Sequence, residues 1–139
     1  MSIWDRIPLM PPPTPPAAGA DFNYTIPAGR QGRVEGLIFT IATSATAAAR
    51  YLHVEIGEHG IFIPYRTSNT FDVQFQNTTN VYSIGRGLPL SSAASQLFRT
   101  APMSDPVILE AGDYIGTILF TKQAGDQITP DWRYKERSI

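Results

Sequence analysis

Cysteine is absent from this chain of 139 residues, which excludes disulfides, thiol nucleophiles and zinc–thiolate sites. Charged residues make up only 17% of it, and the formal charge of −1 argues against a dedicated nucleic-acid binder, which would show a basic excess. No apolar run approaches the roughly 20 residues of a membrane span, and the proline-rich start is unlike a secretion signal. The length fits one domain, for which we predict no nucleic-acid or membrane partner.

Groups suited to catalysis are few, because the chain has only two histidines, His53 and His59. His53 and Glu55 share one face of a predicted strand, where such a pair can bind a metal. A cupin would also need a histidine after a later turn, and the turn at 111–113 is followed by none. No nucleophile elbow or phosphate-binding loop is present. We therefore predict no enzyme, no catalytic residues, no metal and no cofactor, and keep a metal-dependent, cupin-like enzyme only as a third hypothesis.

Proline is concentrated at the N-terminus, where the first 16 residues contain six of the 12 prolines. Proline fixes φ and removes a hydrogen-bond donor, so this segment favours extended polyproline II. The sequence therefore predicts an extended, proline-rich arm at 1–20 and a second unit at 21–139. The arm either folds back on its own domain or grips a neighbouring subunit, and we favour the neighbour. Its predicted partner-binding residues are Trp4, Ile7, Leu9, Pro11, Pro12 and Pro13.

From residue 21 onward, apolar residues recur at every second position, which is typical of β-strands that are buried on one face. The clearest alternation is at 71–75, and 114–121 is apolar on both faces, which places it centrally in a sheet. The other predicted strands are 22–26, 37–41, 50–56, 60–66, 80–84, 106–110 and 127–134. A tight hairpin is expected at 57–60, and 85–105 reads as a long loop with one possible helical turn at 91–98. This pattern predicts an all-β fold, an antiparallel, jelly-roll-like β-sandwich.

Arginine outnumbers lysine by nine to two, and arginine suits bidentate recognition of carboxylates in protein interfaces. The interface candidates at strand ends and loops are Arg30, Arg33, Arg50, Arg66, Arg86 and Arg99. The run at 131–137 is dense in charged and aromatic residues. It is either a solvated tail or a second contact element, in which Trp132, Arg133 and Tyr134 would bind a partner.

Two stretches that lead into strands, residues 20–30 (ADFNYTIPAGR) and 40–50 (TIATSATAAAR), resemble small β-sandwich proteins encoded among the virion structural genes of tailed bacteriophages. The turn at 109–113 is similar to turns in jelly-roll capsid-associated proteins. Together these features touch about half of the domain. The resemblance implies a decoration or cement protein on the outside of a phage head, commonly trimeric, and it carries over no catalytic residues.

The functional hypothesis is a non-enzymatic virion structural protein that stabilises a phage head through contacts of its sandwich and its arm. Its expected partners are copies of itself, as a trimer, and the major capsid protein; its expected location is the capsid surface, after synthesis in the host cytoplasm. The alternative is a carbohydrate-binding β-sandwich module of a head fibre or tail, which would expose Trp132 or a tyrosine cluster to a glycan.

Overall fold

The structure is a computed structural model that describes residues 2–58, 61–66, 71–103 and 106–139. A single 3-10 turn at Ile3–Arg6 precedes nine strands in this part of the chain. The strands are β1 (Asn23–Thr25), β2 (Arg30–Ala42), β3 (Tyr51–Glu58), β4 (Ile61–Arg66), β5 (Thr79–Gly85), β6 (Phe98–Pro102), β7 (Val107–Leu109), β8 (Tyr114–Phe120) and β9 (Gln127–Ser138). No helix among the described residues is long and apolar enough to cross a membrane.

The strands form two sheets that pack face to face, which confirms the predicted β-sandwich. One sheet has the order β1-β8-β3-β4, and the other has the order β6-β5-β2-β7 with β9 also paired to β2. Because β9 pairs along all of β2, β5 and β7 share the opposite edge of β2, β5 at 36–42 and β7 at 32–34. Successive strands pass from one sheet to the other several times, which gives the jelly-roll-like winding.

The core forms between the two sheets from the predicted alternating residues. Side chains on β2, β3 and β8 point inward at every second position, apart from one shift at a bulge in β2. The predicted core residues confirmed in this way are Leu37, Phe39, Ile41, Leu52, Val54 and Ile56. Strand β8 lies between β1 and β3, which confirms the central position predicted for 114–121. Each large apolar side chain buried in this layer contributes about 1.5–3 kcal/mol.

Strand β6 lies inside the region predicted to be a long loop, so that part of the prediction was wrong. It pairs with β5 in parallel, whereas every other named pair is antiparallel. A parallel pair needs a crossover of about a dozen residues, and the connection at 86–97 supplies it. The inward-facing residues of β6 are Arg99 and Ala101, and the charged side chain of Arg99 hides the alternation. The predicted helical turn at 91–98 is a turn around 93–96 instead.

The segment 71–75, the clearest predicted strand, is not a strand, and only Gln74 makes an isolated bridge, to Arg50. Side chains take the place of ladder bonds here. The Arg99 guanidinium donates to the carbonyls of Asp72 (2.5 Å) and Val73 (2.8 Å). The alternation in this segment also fails to predict which side chains are buried, because Phe75 is 52% exposed. The hairpin predicted at 57–60 lies partly outside the described residues; β3 and β4 on either side of it are antiparallel.

Candidate partner-binding site

The N-terminal arm lies along β9 of its own sandwich. This is one of the two arrangements that the sequence left open; the other is contact with a neighbouring subunit. Among the described strands, β9 pairs with β2 alone, so no described strand lies along its other edge. The Met10 amide donates to the Tyr134 carbonyl (2.7 Å), and the Gln127 side-chain amide donates to the Pro16 carbonyl (2.9 Å). Successive arm residues meet earlier residues of β9, so the arm runs antiparallel to that strand. It thereby covers an edge that would otherwise be open to pairing.

Trp132 joins the arm to the sandwich core. Its indole N–H donates to the Pro11 carbonyl (2.9 Å), which satisfies the polar end of the ring. The rest of the ring packs against Tyr24 and Tyr134, with centroid separations of 5.1 and 4.5 Å. The side chain is only 6% exposed. Trp132 therefore contacts its own arm and core rather than solvent.

Trp4 anchors the tip of the arm. The 3-10 turn that holds it begins with a capping box. The Ser2 amide donates to the Asp5 carboxylate, and the Ser2 hydroxyl oxygen accepts from the Trp4 amide. The Arg137 guanidinium lies 5.1 Å from the centroid of the Trp4 ring, and the Lys135 ammonium donates to the Trp4 carbonyl (2.8 Å). Trp4 is 8% exposed, so its ring is already buried against residues of the chain's own β9.

The predicted partner-binding residues divide by burial. Those buried in their own chain are Trp4, Trp132 and Tyr134; the half-buried ones are Ile7 and Pro13; the exposed ones are Leu9, Pro11, Pro12 and Arg133. A partner can touch the buried three only if the arm is displaced. Of the two alternatives left open for 131–137, the solvated tail is wrong, because these residues belong to β9 and alternate ones face the core.

The arm returns to the sandwich through a turn at 17–20. The Ala20 amide donates to the Ala17 carbonyl (3.0 Å), and the Gly19 amide donates to the Asp126 carbonyl (2.7 Å). Gly19 has φ +81°, a left-handed conformation that favours glycine. A Cβ at Gly19 would also lie 2.9 Å from the Ala124 carbonyl oxygen. Only glycine fits this turn without strain.

The same Asp126 is one half of a buried ion pair with Arg50, whose side chains are 1% and 0% exposed. Two guanidinium nitrogens of Arg50 lie 2.9 Å from the two carboxylate oxygens. The backbone amides of Ser44 and Gln123 donate to the same carboxylate at 2.8 Å. Burial raises the pKa of Asp126, but the hydrogen bonds from Arg50 and these amides outweigh it and lower the pKa to about 2.

Two of the six arginines expected at an interface are therefore structural. Arg50 is fully buried against Asp126, and Arg99 is fully buried against backbone carbonyls and the ring of Tyr82. An interface role for these two was wrong, because neither guanidinium reaches solvent. The side chain of Arg66 lies outside the described residues.

Two part-buried tyrosine hydroxyls share one acceptor on β9. Tyr24 and Tyr134 both donate to the Glu136 carboxylate, at 2.6 and 2.9 Å. Burial, together with the nearby Glu136 charge, raises the pKa of both tyrosines above the usual range. Gly32 lies under the Tyr134 ring, which any side chain at that position would overlap. The cluster fixes β9, and with it the edge of β9 on which the arm lies, called here the seat of the arm.

A second candidate site is a hollow in the outer face of the five-stranded sheet. Gly36 of β2 pairs directly with Gly85 of β5, so two adjacent positions carry no side chain. A bulge between Val34 and Gly36 precedes this point, where the partner along this edge of β2 changes from β7 to β5. The result, called here the glycine hollow, has a volume of about 630 Å³. Its described lining is Arg33, Glu35, Gly36, Leu37, Ile38, Ser83, Ile84, Gly85, Arg86, Leu88, Thr100, Pro106 and Arg133.

Positive charge dominates the described lining of the glycine hollow, with three arginines and one glutamate. Glu35 lies 3.7 Å from both Arg33 and Lys135, so cations of the same face already balance it. Arg86 and Arg133 make no ion pair within the described ranges, and both are exposed. Sequence reasoning missed this site, because only the strand register shows that two glycines are opposite each other.

His53 and Glu55, the pair weighed above as a metal site and set aside, do not belong to a cluster of potential ligands among the described residues. His53 is buried, and its ring lies against Phe120 with a centroid separation of 5.5 Å. No group of three potential ligands forms within the part of the chain that the structure describes. His59 lies outside that part.

Among the described residues, large apolar side chains are exposed at several positions, which include two pairs of neighbours. Leu97 and Phe98 lie at the start of the edge strand β6 and are 59% and 71% exposed. Tyr51 and Phe120 are cross-strand partners on the outer face of the four-stranded sheet, and each is nearly half exposed. Side chains of this kind are enriched in interfaces between protein subunits.

Comparison with known proteins adds no family to this description. No protein-family model matches the chain, and neither a curated protein nor a solved structure matches it. The arm on the free edge of β9, the glycine hollow and the exposed apolar side chains are therefore the features from which a function can be argued.

Proposed function

We propose that the chain is a non-enzymatic capsid decoration, or cement, protein of a phage virion that self-associates as a trimer. Its partners are further copies of itself and the major capsid protein, and its place is the capsid surface. The observation that carries the proposal is the seat of the arm on the free edge of β9. An arm from another copy can occupy that seat with the same hydrogen bonds, as in domain swapping.

The free edge of β9 explains why an arm is needed at all. An uncovered strand edge pairs with other chains in an uncontrolled way, and a proline-rich arm blocks that route because proline cannot donate to a ladder. The proline content of the arm favours extended polyproline II before the arm binds, so its ordering on β9 costs little entropy. Exchange of such arms joins copies of one chain while each edge remains covered.

Weak contacts gain strength when several are joined in one assembly. Each further contact then forms at a high effective concentration, which raises avidity by about 10²–10⁴ without a new type of contact. The exposed Leu97 and Phe98 at β6 supply apolar area for contact between sandwiches. Leu9, exposed on the arm, supplies a further apolar contact.

The native mass of the full-length protein tests the proposal. Three chains of 15.3 kDa give about 46 kDa, the expected mass by light scattering. Deletion of residues 1–16 should reduce this mass or the binding to phage heads in sedimentation assays. Thr14→Ala, an exposed arm position, is the matched control and should change neither. A monomer at all concentrations that also fails to sediment with heads would contradict the proposal.

The carbohydrate-binding alternative keeps less support. Trp132 is buried and offers no face on which a sugar could stack. The exposed pair of Tyr51 and Phe120 is the aromatic surface that remains for it. Glycan binding by a monomer, abolished by Tyr51→Ala, would favour this alternative over a decoration protein.

A further inference from the structure

We propose that the glycine hollow binds an extended acidic peptide segment of a protein partner, whose carboxylates meet Arg86 and Arg133. This inference does not depend on self-association, because the hollow lies on the outer face of one sandwich. The arm's seat on the free edge of β9 and the hollow on the outer sheet face are separate contacts. The hollow therefore adds a binding site to the arm contact described above.

The floor of the hollow lets a ligand approach the sheet closely. Gly36 and Gly85 are directly opposite each other on adjacent strands, and Arg133 of β9 is opposite Gly36 on the other side. Glycine within a strand weakens it, and is found where another backbone or a ligand comes close. Gly36 lies in the interior of β2 and carries this cost, while Gly85 is the last residue of β5. A segment bound over Gly36 offsets the cost.

The charge of the hollow selects an anion. Glu35 is balanced by Arg33 and Lys135, whereas Arg86 and Arg133 have no ion-pair partner in the described segments. A guanidinium presents several N–H donors in a plane, which matches the two oxygens of a carboxylate. A cavity of about 630 Å³ is within the usual range for a ligand site.

The apolar part of the lining favours a peptide over a nucleic acid. Ile38, Leu88 and Pro106 are only half-buried, so they offer apolar contact to aliphatic side chains. Single-stranded nucleic acids stack their bases on aromatic rings, and the described lining contains no aromatic residue. The chain as a whole is also slightly acidic. A short segment that alternates acidic and aliphatic residues fits both features.

Fluorescence anisotropy with a labelled heptapeptide of alternating Glu and Leu tests the site on the full-length protein. The expected result is saturable binding that weakens as salt is added, because ionic strength screens the contact. Arg86→Glu and Arg133→Glu should each weaken binding by about tenfold or more. Arg6→Glu, at an exposed position in the arm, makes the same charge change outside the hollow and should alter binding by less than about twofold.

Three outcomes would overturn the proposal. The first is equal binding of a heptapeptide in which Gln replaces Glu, since the carboxylates would then be irrelevant. The second is equal weakening by Arg6→Glu and Arg133→Glu, which would indicate net charge rather than a site. The third is tighter binding of a single-stranded DNA heptamer than of the acidic peptide, or no peptide binding at millimolar concentration. Circular dichroism of each variant confirms that the sandwich is folded.

Discussion

Arg50 and Asp126 show how single charged residues hold the turns of this fold. Their ion pair is fully buried, and the carboxylate also accepts hydrogen bonds from two backbone amides. The Asp126 carbonyl in turn accepts from Gly19 at the base of the arm. Removal of one partner from such a pair leaves an uncompensated buried charge, which costs about 3–5 kcal/mol.

Asp126→Asn should therefore lower the free energy of unfolding by about 3–5 kcal/mol, because Arg50 keeps its charge and loses its partner. Urea denaturation followed by circular dichroism measures the loss. Asp131→Asn removes a carboxylate from an exposed position of β9 and should change stability by less than about 0.5 kcal/mol. Equal stability of the two variants would show that the buried pair is not a stabilising contact.

The same residue gives the wild-type protein a defined response to acid. Its folded pKa, about 2, lies below the usual 3.8, so the unfolded chain binds the proton first as the pH falls. The stability that Asp126 contributes, about 2 kcal/mol, is complete above about pH 4 and is lost between about pH 4 and pH 2. Asp126→Asn should flatten the stability profile in this window, and Asp131→Asn should not.

At the residue scale, the sequence predicts which side chains are buried where apolar residues alternate regularly. The prediction fails where a side chain bonds to a partner that is distant in the sequence. The alternating core residues of β2 and β3 were predicted because burial follows the pleat. Arg50 and Arg99 were placed at an interface because a charge is rarely buried unless it is paired. Their acceptors are 76 and 26–27 residues away, at Asp126 and at the carbonyls of 72 and 73.

Among the elements, the arm and β9 depend on each other. The arm donates backbone hydrogen bonds from Met10 to β9 and from Gly19 to the Asp126 carbonyl, and its carbonyls accept others at Trp4, Pro11 and Pro16. The net contribution of one hydrogen bond to stability is about 1 kcal/mol. These few contacts therefore hold the arm on β9 but allow it to dissociate. The proline content predicted the extended form of the arm, but its seat depends on which strand has a free edge, and only the assembled sheets determine that.

Trp132 reports directly on this contact when Trp4→Phe leaves it as the only tryptophan. Met10→Pro removes the amide that donates to Tyr134 while it preserves an extended backbone. The expected result is a red shift of Trp132 emission and stronger acrylamide quenching, since the ring gains water when the arm loosens. Thr14→Pro, at an exposed position, is the matched control. Unchanged emission after deletion of residues 1–16 would contradict the seat.

The strand elements show where periodicity is and is not sufficient. A period of two predicted most strands, but it also predicted one at 71–75, where hydrogen bonds from Arg99 and Gln74 replace the ladder. It missed β6, whose first inward-facing residue is that same Arg99. One buried guanidinium thus accounts for both errors, because it bonds the backbone of one segment while it occupies the inner face of the next.

At the scale of the whole molecule, the sandwich has strand edges that need cover. Paired backbone bonds between Ser91 and Thr100 protect part of the β6 edge. The arm covers the edge of β9 of its own chain. In the proposed exchange between copies, a neighbour's arm would cover this edge, and the turn at 17–20 would control which arm lies there.

Gly19→Ala should shift this balance toward exchange between copies. The left-handed φ of +81° costs a non-glycine residue about 1–2 kcal/mol, and the new Cβ would crowd the Ala124 carbonyl. The expected result is faster hydrogen exchange at the Met10 amide and a larger oligomeric fraction at high protein concentration. Gly29→Ala has a similar φ, +75°, with open space around it and no contact with the arm, so it should lower stability without either effect. Equal exchange rates at Met10 in the two variants would show that the turn does not control the arm.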